Sequence, residues 1–234
     1  MDGYGRARFR HQATGRVEVV LGRLDAGPDT VCASAAVLSE DERERAGRFA
    51  CDRARRRFTV ARARLRRLLG ARLDVRPESV ELVYGERGKP ALAPSFTDSG
   101  LRFNLSHAGD VAVYAFSTAG EVGVDIEEVR AIRDADAVAA YAFSRRENEC
   151  YRRLDARCKP LAFFRCWTRK EAFVKALGDG LSHPLDGFDV SLAPGEPARI
   201  LRVGRTPGDG CGWRLRSFVP VPGLIGAVVH GIGE

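Results

Sequence analysis

The stretch LRFNLSHAGDVAVYAF at residues 101–116, followed closely by VGVDIE at residues 122–127, decides the architecture. Leu101–Leu105 and Val111–Phe116 read as strands joined through Ser106-His107-Ala108-Gly109-Asp110 in a hairpin-like loop, and Val122–Ile126 predicts a further strand. Upstream, a polar aperiodic tail at residues 1–16 leads into a strand at Val17–Leu21. Ser39 with Glu42 forms a capping box. Ala46, Ala50, Ala54, Phe58, Ala61, Leu65 and Leu68 then recur at helical spacing up to Gly70, as one long helix or two meeting near Asp52. After Pro77, Val80–Tyr84 reads as a short strand. Downstream, a helical region runs from Ile132 to Leu177 with a break near Pro160, and Trp213–Val219 and Leu224–His230 return to strands. The order strand, helix, strands therefore occurs twice, each time closing with a hairpin. The expected fold is α+β, with two similar halves at residues 17–120 and 121–234, each a long helix packed on a small antiparallel sheet.

The chain has 234 residues, 44% of them hydrophobic and 29% charged, with a formal net charge of +7. That is too apolar for a disordered chain, and no run approaches the ~18 uncharged apolar residues of a membrane helix. A soluble globular protein remains, long enough for one large domain or two. Of the 38 basic residues only four are Lys: Lys89, Lys159, Lys170 and Lys175. The positive charge is concentrated, since residues 43–72 hold 12 Arg against only Glu44 and Asp52. Such a patch suits nucleic acid, a phosphorylated small molecule or an acidic protein, or else it is a solvated helix face. The six Cys (Cys32, Cys51, Cys150, Cys158, Cys166, Cys211) include no CxxC and no zinc-like pairing with His, and no signal peptide with an apolar core is visible. Reduced thiols in a cytoplasmic protein are the expectation.

Four segments carry chemistry. In Gly123-Val124-Asp125-Ile126-Glu127 the strand period points Asp125 and Glu127 to one face while Val124 and Ile126 enter the core. Two adjacent carboxylates repel unless a cation lies between them, and oxygen-only ligands suit Mg2+ bound with substrate phosphates; the alternative is a solvated strand end. In Trp167-Thr168-Arg169-Lys170-Glu171-Ala172-Phe173-Val174-Lys175, running into Gly178-Asp179-Gly180-Leu181, Glu171 and Lys175 share a helix face. They form a simple ion pair four residues apart or, if the helix lies on the Asp125 strand, a third carboxylate and a cation for the same polyphosphate. Phe103-Asn104-Leu105-Ser106-His107 offers a hydroxyl and an imidazole to a phosphate. Adjacent Ser and His cannot easily serve each other as nucleophile and base, and without a GxSxG elbow a serine hydrolase is disfavoured. Gly88-Lys89-Pro90 forms a turn.

Taken in order and spacing, these four segments resemble the 4′-phosphopantetheinyl transferases, specifically the larger surfactin-synthetase type with two fused similar halves. The resemblance implies transfer of the phosphopantetheine arm of coenzyme A to a serine of an acyl or peptidyl carrier protein, releasing 3′,5′-ADP. By motif, Asp125, Glu127 and Glu171 would hold Mg2+ on the pyrophosphate and Lys175 would add positive charge there. His107 and Ser106 would meet the 3′-phosphate, and Gly88, Lys89 and Pro90 would line the adenine end. Arg45 matches the usual cation near the nucleotide, with Arg53 and Arg62 as further candidates. Glu42 departs from the pattern, standing where some relatives carry a basic residue. Glu171 is the first choice of general base and Glu127 the second, while Lys170 either assists or is structural. Phe143, Arg145 and Arg146 stand near the expected dock for an acidic carrier protein, with core packing as the alternative for Phe143. A monomer with no nucleic-acid or membrane partner is implied. The competing readings are a non-catalytic relative that binds coenzyme A or a carrier protein, and a basic nucleic-acid-binding protein.

Overall fold

A computed structural model describes residues 17–85, 88–178, 184–204, 206–207 and 212–232. The tail at 1–16, Cys211 and Asp179-Gly180-Leu181 at the end of the helical motif lie outside the described residues. The N-terminal part contains β1 (Val17–Arg23), α1 (Pro28–Ala35), α2 (Glu40–Gly47), α3 (Asp52–Leu73), β2 (Leu82–Tyr84), β3 (Pro90–Leu92), β4 (Arg102–Ala108) and β5 (Val111–Ser117). The C-terminal part contains β6 (Val122–Glu128), α4 (Ala135–Ala142), α5 (Arg145–Arg152), α6 (Lys159–Leu177), β7 (Phe188–Val190), β8 (Ile200–Val203), β9 (Thr206–Pro207), β10 (Trp213–Phe218) and β11 (Leu224–Gly231).

The two main sheets share one topology. In each, the opening strand pairs antiparallel with the last strand of the closing hairpin, giving the orders β1-β5-β4 and β6-β11-β10. The period of two on each strand then builds layers. On β5, Ala112, Tyr114 and Phe116 pack against Val60, Ala61, Leu65 and Leu69 of α3. The alternate residues Val111, Val113 and Ala115 pack on Val122, Val124 and Ile126 of β6, so the two sheets meet through an aliphatic core. On the far side Ala172, Phe173 and Ala176 of α6 pack on Ile225, Ala227 and Val229 of β11. The α+β expectation of a long helix on each small antiparallel sheet therefore holds.

Several local expectations need correction. The β4–β5 loop is not five residues: Ala108 pairs with Val111, the turn is Gly109-Asp110, and Ser106 and His107 belong to the strand. Gly109 adopts φ 56°, a conformation that costs glycine little and tightens the hairpin. Of the two arrangements expected for residues 39–73 the structure takes the second, two helices meeting near Asp52, with Glu42 reaching back to the Ser39 N–H at 3.2 Å to cap the first. Residues 132–177 form three helices. The expected break near Pro160 falls just before α6, whose first turn that proline occupies, and a further break falls at the Phe143-Ser144 cap. The helix α1 and the strands β3, β7, β8 and β9 carried no clear periodic signal. The thiols of Cys32, Cys51, Cys150, Cys158 and Cys166 are all free.

Lys170 is structural. Its ammonium, 1% exposed, meets Glu147 at 2.8 Å and donates to the carbonyls of Leu185 at 2.6 Å and Phe188 at 2.7 Å. Glu147 in turn accepts from Ser144 N at 2.8 Å and Val190 N at 2.6 Å, so one buried pair ties α5, α6 and β7 together. Lys170→Met strands the Glu147 charge in the core and is expected to lower stability by about 3–5 kcal/mol in urea denaturation at neutral pH. Burial already pushes the Glu147 carboxyl up, against the opposing pull of Lys170. The deficit should therefore shrink as the pH falls and Glu147 takes up a proton.

Candidate active site

The strand β6 and the helix α6 lie in direct contact because of Gly123. A Cβ built there would collide with the Ala172 carbonyl and the Ala176 amide and stand 2.9 Å from the Lys175 carbonyl carbon. With only a hydrogen at that position, the helix backbone rests on the strand, and the side chains one step along each element meet. Lys175 Nζ reaches Asp125 Oδ1 at 2.6 Å. Val124 and Ile126 are buried between the sheets, so Asp125 and Glu127 face α6 as the strand period requires.

Two carboxylate oxygens at this junction, Asp125 Oδ2 and Glu171 Oε1, are buried without a hydrogen-bond partner among the described residues. The electrostatics match. Burial pushes the Glu171 carboxyl above the usual range and the charges of Asp125 and Glu127 push it further, while Lys175 opposes. Glu127 is raised by burial and then by Asp125, against Arg130 and Lys175. Among the described residues no three carboxylate, imidazole or thiol groups converge as a ready-made metal cage. Lys175 draws Asp125 to itself, and Arg130 stands 3.8 Å from Glu127. The donor set is nevertheless hard, anionic and under-compensated, which suits a hard cation such as Mg2+.

The N-terminal half completes the site across the seam. Ser106 on β4 donates to Asp125 Oδ1 at 2.9 Å. Lys89 Nζ, in the turn between β2 and β3, donates to the Lys175 carbonyl at 2.5 Å and lies 3.7 Å from Glu121. Pro90 is buried beside it, and Gly88 takes φ 74° in the same turn. His107 is exposed on β4, with its pKa drawn down first by partial desolvation and then by the positive charges of Lys175 and Arg57, which favours the neutral ring. Family models match both halves of the chain: the 4′-phosphopantetheinyl transferase N-terminal model over residues 26–119 and the 4′-phosphopantetheinyl transferase superfamily model over residues 121–217. The chain is 41% identical over 200 residues to the 4′-phosphopantetheinyl transferase HetI of Nostoc sp., covering 85% of this chain and 81% of that protein. The chain belongs to the 4′-phosphopantetheinyl transferase superfamily. It is 30% identical over 165 residues to the human L-aminoadipate-semialdehyde dehydrogenase-phosphopantetheinyl transferase, spanning 67% of this chain and 53% of that one. A 98-residue match to AcpT of Salmonella typhi is 43% identical and spans 42% of this chain and 50% of that one.

The Arg-rich segment of this transferase is not an open polyanion surface. Arg66 and Arg62 are buried against Glu42, at 2.5 Å and 3.6 Å, so the residue that departs from the family pattern pairs α2 with α3. Arg55 and Arg56 pair with Asp52, Arg72 reaches Glu18 at 2.6 Å, and Arg67 donates to the Ala33 carbonyl. Arg53 and Arg57 both grip Asp110 at the β4–β5 turn, at 2.8 Å and 2.7 Å, and the charge of Arg57 is felt at His107. Arg45 remains exposed, 5.4 Å above the Phe58 ring; Arg62 approaches the same ring at 5.5 Å and Tyr84 at 5.7 Å. Tyr84 ends β2, the strand that leads into the turn holding Gly88 and Lys89. Phe143 is 2% exposed in the core, whereas Arg145 and Arg146 are on the surface.

Gly123, Asn104, Arg57 and Asp110 were missed as site builders. A glycine inside an otherwise apolar strand signals a close backbone approach, and Asn104 is a polar residue in a buried strand; both were legible in principle. The partners of Arg57 and Asp110 lie more than fifty residues apart and left no local trace.

Proposed function

We propose that the seam between β4, β6 and α6 seats the diphosphate of coenzyme A with Mg2+ while a carrier-protein serine attacks. The two orphaned carboxylate oxygens, Asp125 Oδ2 and Glu171 Oε1, beside the Lys175 ammonium carry this reading. Asp125, Glu127 and Glu171 are the residues that would hold the metal. Bound there, Mg2+ supplies neutralisation of the diphosphate and stabilisation of charge on the departing oxygen.

The chain's own groups do the rest. Glu171, raised by burial, is a competent acceptor for the serine hydroxyl proton. As that proton leaves, the serine oxygen bonds to the β-phosphorus of the arm and the bond to the α-phosphate oxygen breaks, releasing 3′,5′-ADP. Lys175 is placed to stabilise the negative charge that collects on the leaving group. Neutral His107 donates to the 3′-phosphate with Arg53 and Arg57 adding charge, while Gly88, Lys89, Pro90 and Arg45 face the adenine. The exposed Arg145 and Arg146 suit an acidic carrier protein. Every group comes from one chain, so the working unit is read as a monomer. No described helix is long and apolar enough to cross a membrane.

His107→Ala is expected to reduce transfer from coenzyme A about tenfold while barely changing transfer from 3′-dephospho-coenzyme A, since one hydrogen bond to a charged group is worth ~1.5 kcal/mol. Steady-state rates on the two donors check this. Equal losses on both would remove His107 from the 3′-phosphate.

A further inference from the structure

We propose that Ser106 is a positioning residue that aims the Asp125 carboxylate, its hydroxyl committed inside the protein rather than to a substrate phosphate. The inference rests on the reading of Asp125 as a metal-holding group. It begins with the way the halves join. The strands β4 and β6 are edges of different sheets and form no backbone ladder with each other. An edge strand presents every second N–H outward, and on β6 those of Val124 and Ile126 turn towards β4. They are met by side chains: Asn104 Oδ1 accepts from Val124 N at 2.9 Å, and Ser106 Oγ accepts from Ile126 N at 3.3 Å. Asn104 and Ser106, two apart on β4, thus match Val124 and Ile126, two apart on β6.

That ladder fixes the direction of the Ser106 proton. Among the described residues the hydroxyl bonds to three groups across the seam. Two of them, Ile126 N–H at 3.3 Å and the Lys175 ammonium at 3.4 Å, only donate. The third, Asp125 Oδ1 at 2.9 Å, only accepts when ionised, so the hydroxyl proton must point at it. Ser106 is 8% exposed, and water is poorly placed to compete. Asp125 Oδ1 is then held by two donors, the Ser106 hydroxyl and Lys175, while Oδ2 accepts from neither. With Oδ1 held from two directions the turning of the carboxylate is restricted, and its second oxygen is left without a partner among the described residues. Lys175 alone cannot do this, because a flexible ammonium follows the carboxylate wherever it turns; the strand-anchored hydroxyl does not.

The test compares the parent protein with Ser106→Ala, Ser106→Thr and Ser106→Cys. Mn2+ binding in the presence of coenzyme A is followed by electron paramagnetic resonance, and transfer rates are measured with coenzyme A and 3′-dephospho-coenzyme A. Loss of an orienting partner typically weakens metal binding by about 10–100-fold. Ser106→Ala is therefore expected to weaken Mn2+ binding at least tenfold and to slow transfer by one common factor on both donors, with Ser106→Thr restoring both. If Ser106→Ala does not fold, Ser106→Cys fills the same space with a weaker donor and should still lose Mn2+ affinity. Parent-like Mn2+ affinity in either variant, or a loss confined to the 3′-phosphorylated donor, would overturn the proposal and return Ser106 to the phosphate. A parent protein that transfers without any divalent cation would instead remove the metal reading itself, and the Ser106 proposal with it.

Discussion

Glu171→Gln is expected to lose about a thousandfold in transfer rate while melting a few degrees higher than the parent protein. The two effects have one source. In the native protein Glu171 Oε1 is buried without a hydrogen-bond partner among the described residues, and burial together with Asp125 and Glu127 raises its pKa. A carboxyl whose pKa is higher folded than unfolded costs stability above that folded pKa, and the cost disappears as the pH falls through it and the group protonates. A neutral amide avoids that cost. A gain of about 1 kcal/mol corresponds to ~2–4 °C in a chain of this size. The advantage of the Gln variant should be present at pH 8 and fade in acid. The amide cannot take a proton from serine and is a poor ligand for a cation, so activity falls regardless. Differential scanning calorimetry across pH, paired with transfer rates, reads both. A variant that melts lower at pH 8, or keeps more than a tenth of its activity, contradicts the assignment.

Gly123→Ala is expected to have a large structural effect for a single methyl group. The added carbon meets backbone of α6 at Ala172, Lys175 and Ala176, and a backbone carbonyl cannot rotate away as a side chain would. Either β6 or α6 must shift, which costs about 3 kcal/mol by analogy with overpacked cores and lowers the melting point by roughly 10 °C. The same shift draws Glu171 and Lys175 away from Asp125, and a displacement near 1 Å costs about a hundredfold in rate. A Gly226→Ala control probes a second tight glycine: its Cβ would meet side chains of Ile126 and Phe218 and the Asp125 carbonyl, on the side of β11 away from α6. It is expected to lower stability with less effect on rate. A Gly123→Ala protein of parent-like stability would show that α6 does not rest on β6.

Much of this was legible because the local rules agreed with one another. The alternation in residues 122–127 predicted which side chains of β6 enter the core, and the Glu171-to-Lys175 spacing placed both on one face of α6. What escaped was the choice of long-range partner. Twelve Arg between residues 43 and 72 left an anion-binding patch and a solvated helix face both open, because several of the groups that hold them stand elsewhere: Glu18 on β1, Asp110 at a hairpin turn and the Ala33 carbonyl on α1. Glu42, seen in sequence only as a cap and as a departure from family pattern, is both a cap and the buried partner of Arg66. Lys175 read from sequence as a cation on the Glu171 face, while Lys170, off that face, was left open between an assisting and a structural role. Their positions five apart turn them about 140° from each other, one into the core with Glu147 and one to the seam with Asp125. Ser106 fell in an expected loop. The register of β4 on β5 puts Ser106 in the strand, and its bonds to Asp125 and Ile126 turn the hydroxyl to the neighbouring sheet.

The most direct test of the seam as the transfer site is intact-protein mass spectrometry of an apo carrier domain incubated with coenzyme A, Mg2+ and either the parent transferase or its Glu171→Gln variant. The parent is expected to add the mass of one phosphopantetheine group, at a serine, with the gain abolished by chelation of Mg2+. The variant, folded and more heat-stable, should leave the carrier at its original mass on the same time scale. Equal modification by both proteins, or modification that survives chelation, would contradict the account.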